Sequence, residues 1–540
     1  MYSATIFSGF KNIQADQIDT LFNAYILEHG FRALFESSYK WSFVSPPFFY
    51  PLPEMLFESD NLLGTAPIYW LLRLFFDWTV SFQLWGIVQT IFTYIAMLVL
   101  LLALGINPVI SALSGYVFAF GMPRIAQLSH PQIFAQFYMC FALVYLFKYL
   151  KFLRHRDFNL FMLFVTLQFV AGFYLGWFLL LSLFVGFFLY GVFATENFKK
   201  VVLEVKNNSF YYIKSVLFWG VVNGLFWVKY FINGGQYKLV TVFLHALEYL
   251  NSPASYLTAT KGSLWSYAFT KPENITQENY IFPGAFFYLM IIITALFIIV
   301  PLFKPQNQTR AEFVRRFRSV YAENISKDTL GIIRTSFFTG LVLNIITTSF
   351  FGQSIWLIVA LIIPGAEAIR YAARIWVVSH IWFYIAGGLT LTYLLEKSPH
   401  INYKKFVIPL VIFAVVEQFV VRPVYIDKTK FLTAVTKASD SLSSAVHCDF
   451  AYFRSKEMPL EVDGAPNGYL RGSKNIEAMW TSLYSGIPTI NGYTAWLKYK
   501  FDKLYTPEDL TELTKRPGET ACVYDEDGLQ ETWILPEIKQ

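Results

Sequence analysis

Long apolar stretches alternate with short polar ones over most of the chain, and the apolar stretches match the length needed to cross about 30 Å of hydrocarbon. They run over 82–104, 108–122, 132–150, 158–193, 211–232, 284–303, 335–363, 375–395 and 406–421. The stretch at 158–193 is too long for one helix, and Gly172-Phe173-Tyr174-Leu175-Gly176-Trp177 at its centre suits a tight turn between two spans. About ten spans are therefore expected. Beyond 423 no spanning run remains, and Asp, Glu, Lys, Gly and Pro return. That region reads as a small α/β domain, with a helix over Thr429–Ser444, a strand over Ala445–Phe453 and a helix over Ile476–Tyr484 before the turn at Ser485-Gly486-Ile487-Pro488. The pattern predicts an all-α polytopic membrane bundle with a small carboxy-terminal soluble α/β domain. Its parts are an outward-facing first loop with amphipathic helices over 1–65, a transmembrane helical domain over 66–422 and an extracytoplasmic domain over 423–540.

Composition supports the lipid-facing reading, because 55% hydrophobic, 19% aromatic and only 15% charged side chains are too apolar for a soluble chain of 540 residues. The net charge of +6 is then no sign of nucleic acid but of basic loops held on the cytoplasmic side. Four such loops are visible: Lys148, Lys151, Arg154 and Arg156; Lys199, Lys200 and Lys206; Arg310, Arg315, Arg316 and Arg318; and Lys397, Lys404 and Lys405. Alternating the spans around them puts 1–65, 123–131, 233–283, 364–374 and the tail from 423 on the opposite side. The first 60 residues are thus outside without an apolar segment to carry them there, so a preceding transmembrane helix is expected.

Cys140, Cys448 and Cys522 lack metal-ligand spacing, and the seven histidines form no H-E-x-x-H motif, so no structural metal is expected. In an oxidising compartment Cys448 and Cys522 would either pair or stay as buried thiols.

The outward loops hold most of the unusual polar chemistry. Asp16 and Asp19 are three apart and share a helix face, with Glu28 and His29 following. Asp60 lies in Ser59-Asp60-Asn61-Leu62-Leu63-Gly64, and Arg124, Gln127, His130 and Gln132 lie between two spans. Glu278 precedes Phe282-Pro283-Gly284, and Glu367, Arg370 and Arg374 precede another span. Transfer of a sugar from a lipid phosphate to a hydroxyl needs a carboxylate to take the acceptor proton and cations to stabilise the departing phosphate. Asp16 and Asp19 suit the first role. Arg124, His130, Arg370 and Arg374 suit the second, arginine by its bidentate fork. A nucleotide-sugar enzyme would need a cytoplasmic phosphate-binding fold, and no G-x-G-x-x-G or P-loop is present.

Asp19-Thr20-Leu21-Phe22-Asn23 with Ile26-Leu27-Glu28-His29, the Phe49-Tyr50-Pro51 and Ser59–Gly64 segments, Arg124 to Gln132, Phe282-Pro283-Gly284, Arg370-Tyr371-Ala372-Ala373-Arg374 and Met479-Trp480 with Gly486 to Tyr493 together resemble a bacterial multi-pass family placed among the GT-C superfamily of membrane glycosyltransferases. The resemblance covers nearly the whole chain and implies a GT-C-like fold in the bacterial inner membrane, with an acidic base on the first outward loop. It also implies a sugar donor on a polyprenyl phosphate, an envelope polysaccharide, lipid or protein as acceptor, and a transmembrane helix just before the first loop. No cofactor is expected from the sequence, which leaves divalent-metal dependence open.

Plainer readings stand beside these. Asp16 or Asp19 could cap or solvate an exposed helix. Arg124 and His130 could anchor a span at the interface. Arg370 and Arg374, on one helical face, could pair with Glu367 or Glu278, and Glu28, His29 and Asp60 could serve the fold alone. A transporter or flippase of lipid-linked sugars would place charges at bilayer depth, and a noncatalytic envelope-biogenesis protein would ask nothing of Asp16 or Asp19.

Overall fold

A computed structural model describes residues 1–234, 249–269, 277–302, 325–366, 369–397, 403–421, 425–444, 447–454, 461–462, 465–494, 505–525 and 528–537. The basic run at Arg310 to Arg318 and Glu367 lie outside the described residues. Among these residues the protein is mainly helical, and seven helical segments are long and apolar enough to cross a membrane: Trp78–Ala103, Pro108–Ala126, Pro131–Phe152, Phe173–Phe193, Ala285–Leu302, Lys327–Ile346 and Ala372–Glu396. Several start on a side-chain cap that satisfies amides the first turn leaves unpaired. Asp77 accepts from the amides of Thr79 and Val80, Asn107 from that of Val109, and Ser326 from that of Thr329.

The Ala372–Glu396 segment is the axis of the bundle, with 94% of its most apolar window buried inside the protein against 33% for Ala285–Leu302. A helix apolar on all sides suits that central place. Gly387 and Gly388 let neighbours close in on it: a Cβ on Gly387 would lie 2.8 Å from Met290, and one on Gly388 would lie 2.9 Å from Ile106.

The remaining expected spans are helical but shorter or more polar. The 158–193 stretch divides at Gly172 into His155–Ala171 and Phe173–Phe193. Ser209–Gly234 is long enough, yet it carries Lys214, Asn223 and Lys229. Val407–Val416 is a shorter apolar helix. The expected run at 335–363 is not one span. Its helix ends at Ile346, an isolated bridge joins Phe350 to Gln353, and a short helix follows over Trp356–Ile362. Polar and glycine residues from Thr347 to Ser354 interrupt the apolar pattern there, and Gly352 adopts φ +79°.

At one end of the bundle the first 65 residues and the carboxy-terminal region share a single core. The Asp19–Phe35 helix is not amphipathic as expected: every residue from Thr20 to Phe31 is buried. It is wedged between the start of the Trp78–Ala103 helix and the carboxy-terminal domain. Leu21, Tyr25, Phe82, Trp85, Ile476 and Trp480 belong to one buried cluster, and the Trp480 indole donates to the carbonyl of Leu21 at 3.0 Å and stacks on Trp78. A strand over Asn12–Gln14 pairs antiparallel with one over Tyr425–Asp427, stitching the amino end to the start of that domain.

The domain itself holds a three-stranded sheet in which Phe450–Phe453 runs parallel to Thr520–Asp525, and Thr520–Asp525 antiparallel to Gly528–Ile534. All four residues of Phe450–Phe453 are buried, so the alternation read over 445–453 does not describe a half-exposed strand. Helices Lys428–Ser443 and Asn467–Ser485 pack together beside the sheet. Cys448 and Cys522 form a disulfide across it, while Cys140 is a buried thiol in the bundle.

Candidate functional site

Four distant segments bring charged groups together at the bundle end that faces the carboxy-terminal domain. Asp19 opens the Asp19–Phe35 helix, His130 immediately precedes the Pro131–Phe152 span, Glu278 lies in the loop before Ala285–Leu302, and Arg374 sits in the first turn of Ala372–Glu396. They form a chain of alternating charge. Asp19 Oδ2 meets His130 Nδ1 at 2.7 Å, His130 Nε2 meets Glu278 Oε1 at 3.1 Å, and Arg374 donates to both Glu278 oxygens at 2.9 and 2.5 Å. The fork from Arg374 is the bidentate geometry that makes such pairs strong.

Glu278 and Arg374 are each 5% exposed, whereas Asp19 keeps 23% and His130 17% of the side chain open. The chain is therefore sealed at its arginine end and accessible at its aspartate end. Asp19 Oδ1 also accepts a hydrogen bond from the Tyr493 hydroxyl at 2.6 Å.

The protonation of these groups follows from opposing effects. Burial alone would raise the Asp19 carboxyl, but the hydrogen bond and charge of His130 and the Tyr493 hydroxyl outweigh it and hold it below the usual carboxylate value. Burial and Arg374 would lower His130, yet Glu278 and Asp19 carry it up to about 9, so the imidazole is charged at neutral pH. Glu278 is held far below the usual range: burial works against this, and Arg374 and His130 prevail. Asp16 goes the other way, raised by burial and by Asp19, against the Ser129 hydroxyl, His130 and the Ile18 amide. Asp60, facing Arg374, Asp19 and His130, is raised by burial to about 6. Neighbouring carboxyls whose proton affinities are pushed apart are a recurring feature of acid–base sites.

Arg370 lies beside this chain. It is half-buried, its guanidinium donates to the Tyr371 hydroxyl at 3.0 Å, and its backbone amide donates to the Tyr174 hydroxyl at 3.0 Å. Among the described residues it has no carboxylate within ion-pair distance.

The other sequence candidates are placed elsewhere. Arg124, considered for the phosphate, turns inward: it donates to Gln136 at 2.9 Å and the Phe134 carbonyl at 2.8 Å and lies over the Phe134 ring, 1% exposed. Gln127 is buried in the same loop. Gln132 accepts from the Asn23 amide, which also donates to the Asp19 carbonyl, so it steadies the helix start. Glu28 is fully buried and engaged by Arg32, Arg73 and Tyr69. His29 binds the Tyr39 hydroxyl and the Phe43 carbonyl, and burial lowers it to about 4. At a rise of about 1.5 Å per residue, Glu28 and His29 lie roughly 14 Å along the helix from Asp19, too far to share a substrate atom with it.

Tyr493 is not among the site residues read from the sequence, and its signal there is its place in the Gly486 to Tyr493 segment that carries part of the family resemblance. Among the described residues no three of His, Cys, Asp and Glu are grouped to hold a metal ion. The chain matches no family model and no curated protein.

Proposed function

We propose that this protein is a GT-C-like membrane glycosyltransferase that moves a sugar from a polyprenyl-phosphate donor to an envelope acceptor on the extracytoplasmic side of the bacterial inner membrane. The observation that carries the reading is the Asp19–His130–Glu278–Arg374 chain, open at Asp19 and lying where three spans begin, beside Arg370.

In the reaction the acceptor oxygen forms a bond to the anomeric carbon as its proton passes to the Asp19 carboxylate. The bond from that carbon to the donor phosphate oxygen breaks, and the polyprenyl phosphate leaves with the electron pair. His130 and the Glu278–Arg374 pair hold Asp19 ionised and oriented, and Arg370 faces the departing phosphate. Asp16 and Asp60 are the neighbouring carboxyls, with Asp60 the one whose proton affinity lies closest to neutral pH.

Several features support the topology in this reading. The spans starting at Pro131, Ala285 and Ala372 must enter from one side, because their amino ends meet in the site. Counting the described helices alone, His155–Ala171 and Ser209–Gly234 both cross or both stay out, since either alone would reverse the entry of Ala285–Leu302. At about 1.5 Å per residue His155–Ala171 reaches roughly 26 Å, near the hydrocarbon thickness, so we count both as crossing and, with Tyr403–Val416, arrive at ten spans. The disulfide between Cys448 and Cys522 suits an oxidising compartment, which supports a carboxy-terminal domain outside the cytoplasm. The charges gather at span ends rather than at bilayer depth, which favours transfer over transport.

The test is incorporation of label from a radiolabelled polyprenyl-phosphate sugar into membranes carrying the protein. Label transferred by the native chain and abolished by Asp19→Asn is expected. Equal incorporation by the two would overturn the reading.

A further inference from the structure

The transfer scheme makes no use of Tyr493, although it reaches Asp19 from the far end of the chain and from a different domain. The loop that carries it is tightly built. Thr489 bridges to Phe48 and Ala451. The Asn491 side chain accepts from the Phe453 amide at 2.7 Å and donates to the Phe453 carbonyl and to Asn475, each at 3.0 Å. At Gly492 a Cβ would lie 2.7 Å from the Phe49 ring, so only glycine lets the backbone pass there. The Tyr493 ring then meets Phe22 edge to face at 5.4 Å, one turn along the helix that Asp19 begins. Its hydroxyl arrives at Asp19 Oδ1 while His130 holds Oδ2, so one group from each domain grips each carboxylate oxygen.

We propose that Tyr493 is a positioning residue that holds the Asp19 carboxylate for proton acceptance, so that the carboxy-terminal domain completes the site. The charged groups facing Asp19 are Asp16 on its own segment, His130, Asp60 and Arg374, with Glu278 behind His130. Around Tyr493 the charged groups are Asp19 and Arg370, with the titratable Tyr371 beside them. Burial and the adjacent carboxylate push the Tyr493 hydroxyl well above its ordinary value, so it remains a donor across the working pH range. A hydrogen bond to the ionised carboxylate favours that form, and losing it raises the pH at which Asp19 protonates. The inference rests on the transferase reading for its consequence in turnover but not for its effect on Asp19.

The experiment uses the full chain in native membranes and Tyr493→Phe, which keeps the ring against Phe22 and removes only the hydroxyl. The pH dependence of Asp19 modification by a water-soluble carbodiimide with a glycine ester, read by mass spectrometry, reports protonation without turnover. The midpoint is expected to rise by about one pH unit while that of exposed Asp440 stays in place. 3-Fluorotyrosine at the same position, a stronger donor of nearly the same size, is expected to move it down. The acidic limb of sugar transfer should move with the midpoint, with kcat falling and donor KM unchanged. Unmoved Asp19 midpoints in both variants, or a transfer profile that stays fixed, would overturn the proposal. Shifted midpoints in a native protein that transfers no sugar would sustain the positioning role and overturn the transferase reading instead.

Discussion

The Asp19–Phe35 helix carries two ionic clusters built from the same kinds of residue, and they are built to opposite ends. At Glu28 a carboxylate with none of its side chain exposed meets two arginines and a tyrosine, Arg32 at 3.0 Å, Arg73 at 2.9 Å and Tyr69 at 2.7 Å. At Asp19 the groups form a line rather than a knot. The line is buried at Arg374 and 23% open at Asp19, and an arginine without a carboxylate partner among the described residues stands alongside. Their histidines differ too: His29 is lowered to about 4 by burial, and His130 is raised to about 9 by two carboxylates. A closed set of charges serves stability, because removing one member strands the others in a dry place. A line left open at one end retains a group that can still exchange a proton with something bound.

The sharpest test of the contrast is to neutralise each carboxylate in turn. Asp19→Asn is expected to lower sugar transfer by about 10²- to 10⁴-fold, the range that general-base loss produces, with a smaller fall in melting temperature than Glu28→Gln gives. Glu28→Gln should do the reverse. It removes the counter-charge of Arg73 and the nearer of the two carboxylates at Arg32, Glu36 lying at 3.9 Å, and is expected to cost roughly 3–5 kcal/mol of stability, read as a large fall in thermal unfolding temperature in detergent. If Glu28→Gln melts normally and loses only activity, the division between the two clusters is wrong.

The histidines sharpen the comparison through pH. His130 is raised in the folded state, so its contribution is complete below its ordinary value of 6.5 and fades as pH climbs through about 9. His29 is lowered, so its contribution is present above 6.5 and is lost as pH falls through about 4. Unfolding temperature measured from pH 4 to 10 should fall at both ends, and His130→Gln should flatten the alkaline fall alone. A variant that still loses stability above pH 8 to the native extent would break the assignment.

The smallest expected effect belongs to Arg124, whose guanidinium is used within its own loop. Arg124→Met should leave transfer within about threefold and lower the unfolding temperature modestly, by loss of hydrogen bonds worth about 1 kcal/mol each. A loss of activity comparable to that of Asp19→Asn would place Arg124 at the phosphate after all.

The apolar spans, the turn at Gly172 and the change of character near 423 were legible in the sequence because each depends on local composition. Lipid selects for apolar length, and glycine for a turn, whatever the rest of the chain does. The same logic gathered Asp19, His130, Glu278 and Arg374 at one end of the bundle, since successive spans must alternate direction. It could not separate them from Glu28, His29 and Arg124, which carry the same chemistry in the same loops. Nor could it see that the helix read over 335–363 would run over Lys327–Ile346 instead. Tertiary structure decided who meets whom: His130 reaches Asp19 across 111 positions and Tyr493 reaches it across 474. The reason is that a hydrogen bond is set by a few tenths of an ångström and a direction, and those are fixed by how Trp480, Phe49 and Phe22 pack two domains together. Hydropathy acts over a whole helix and is written locally, while the pairing of charges is written only in the assembled core.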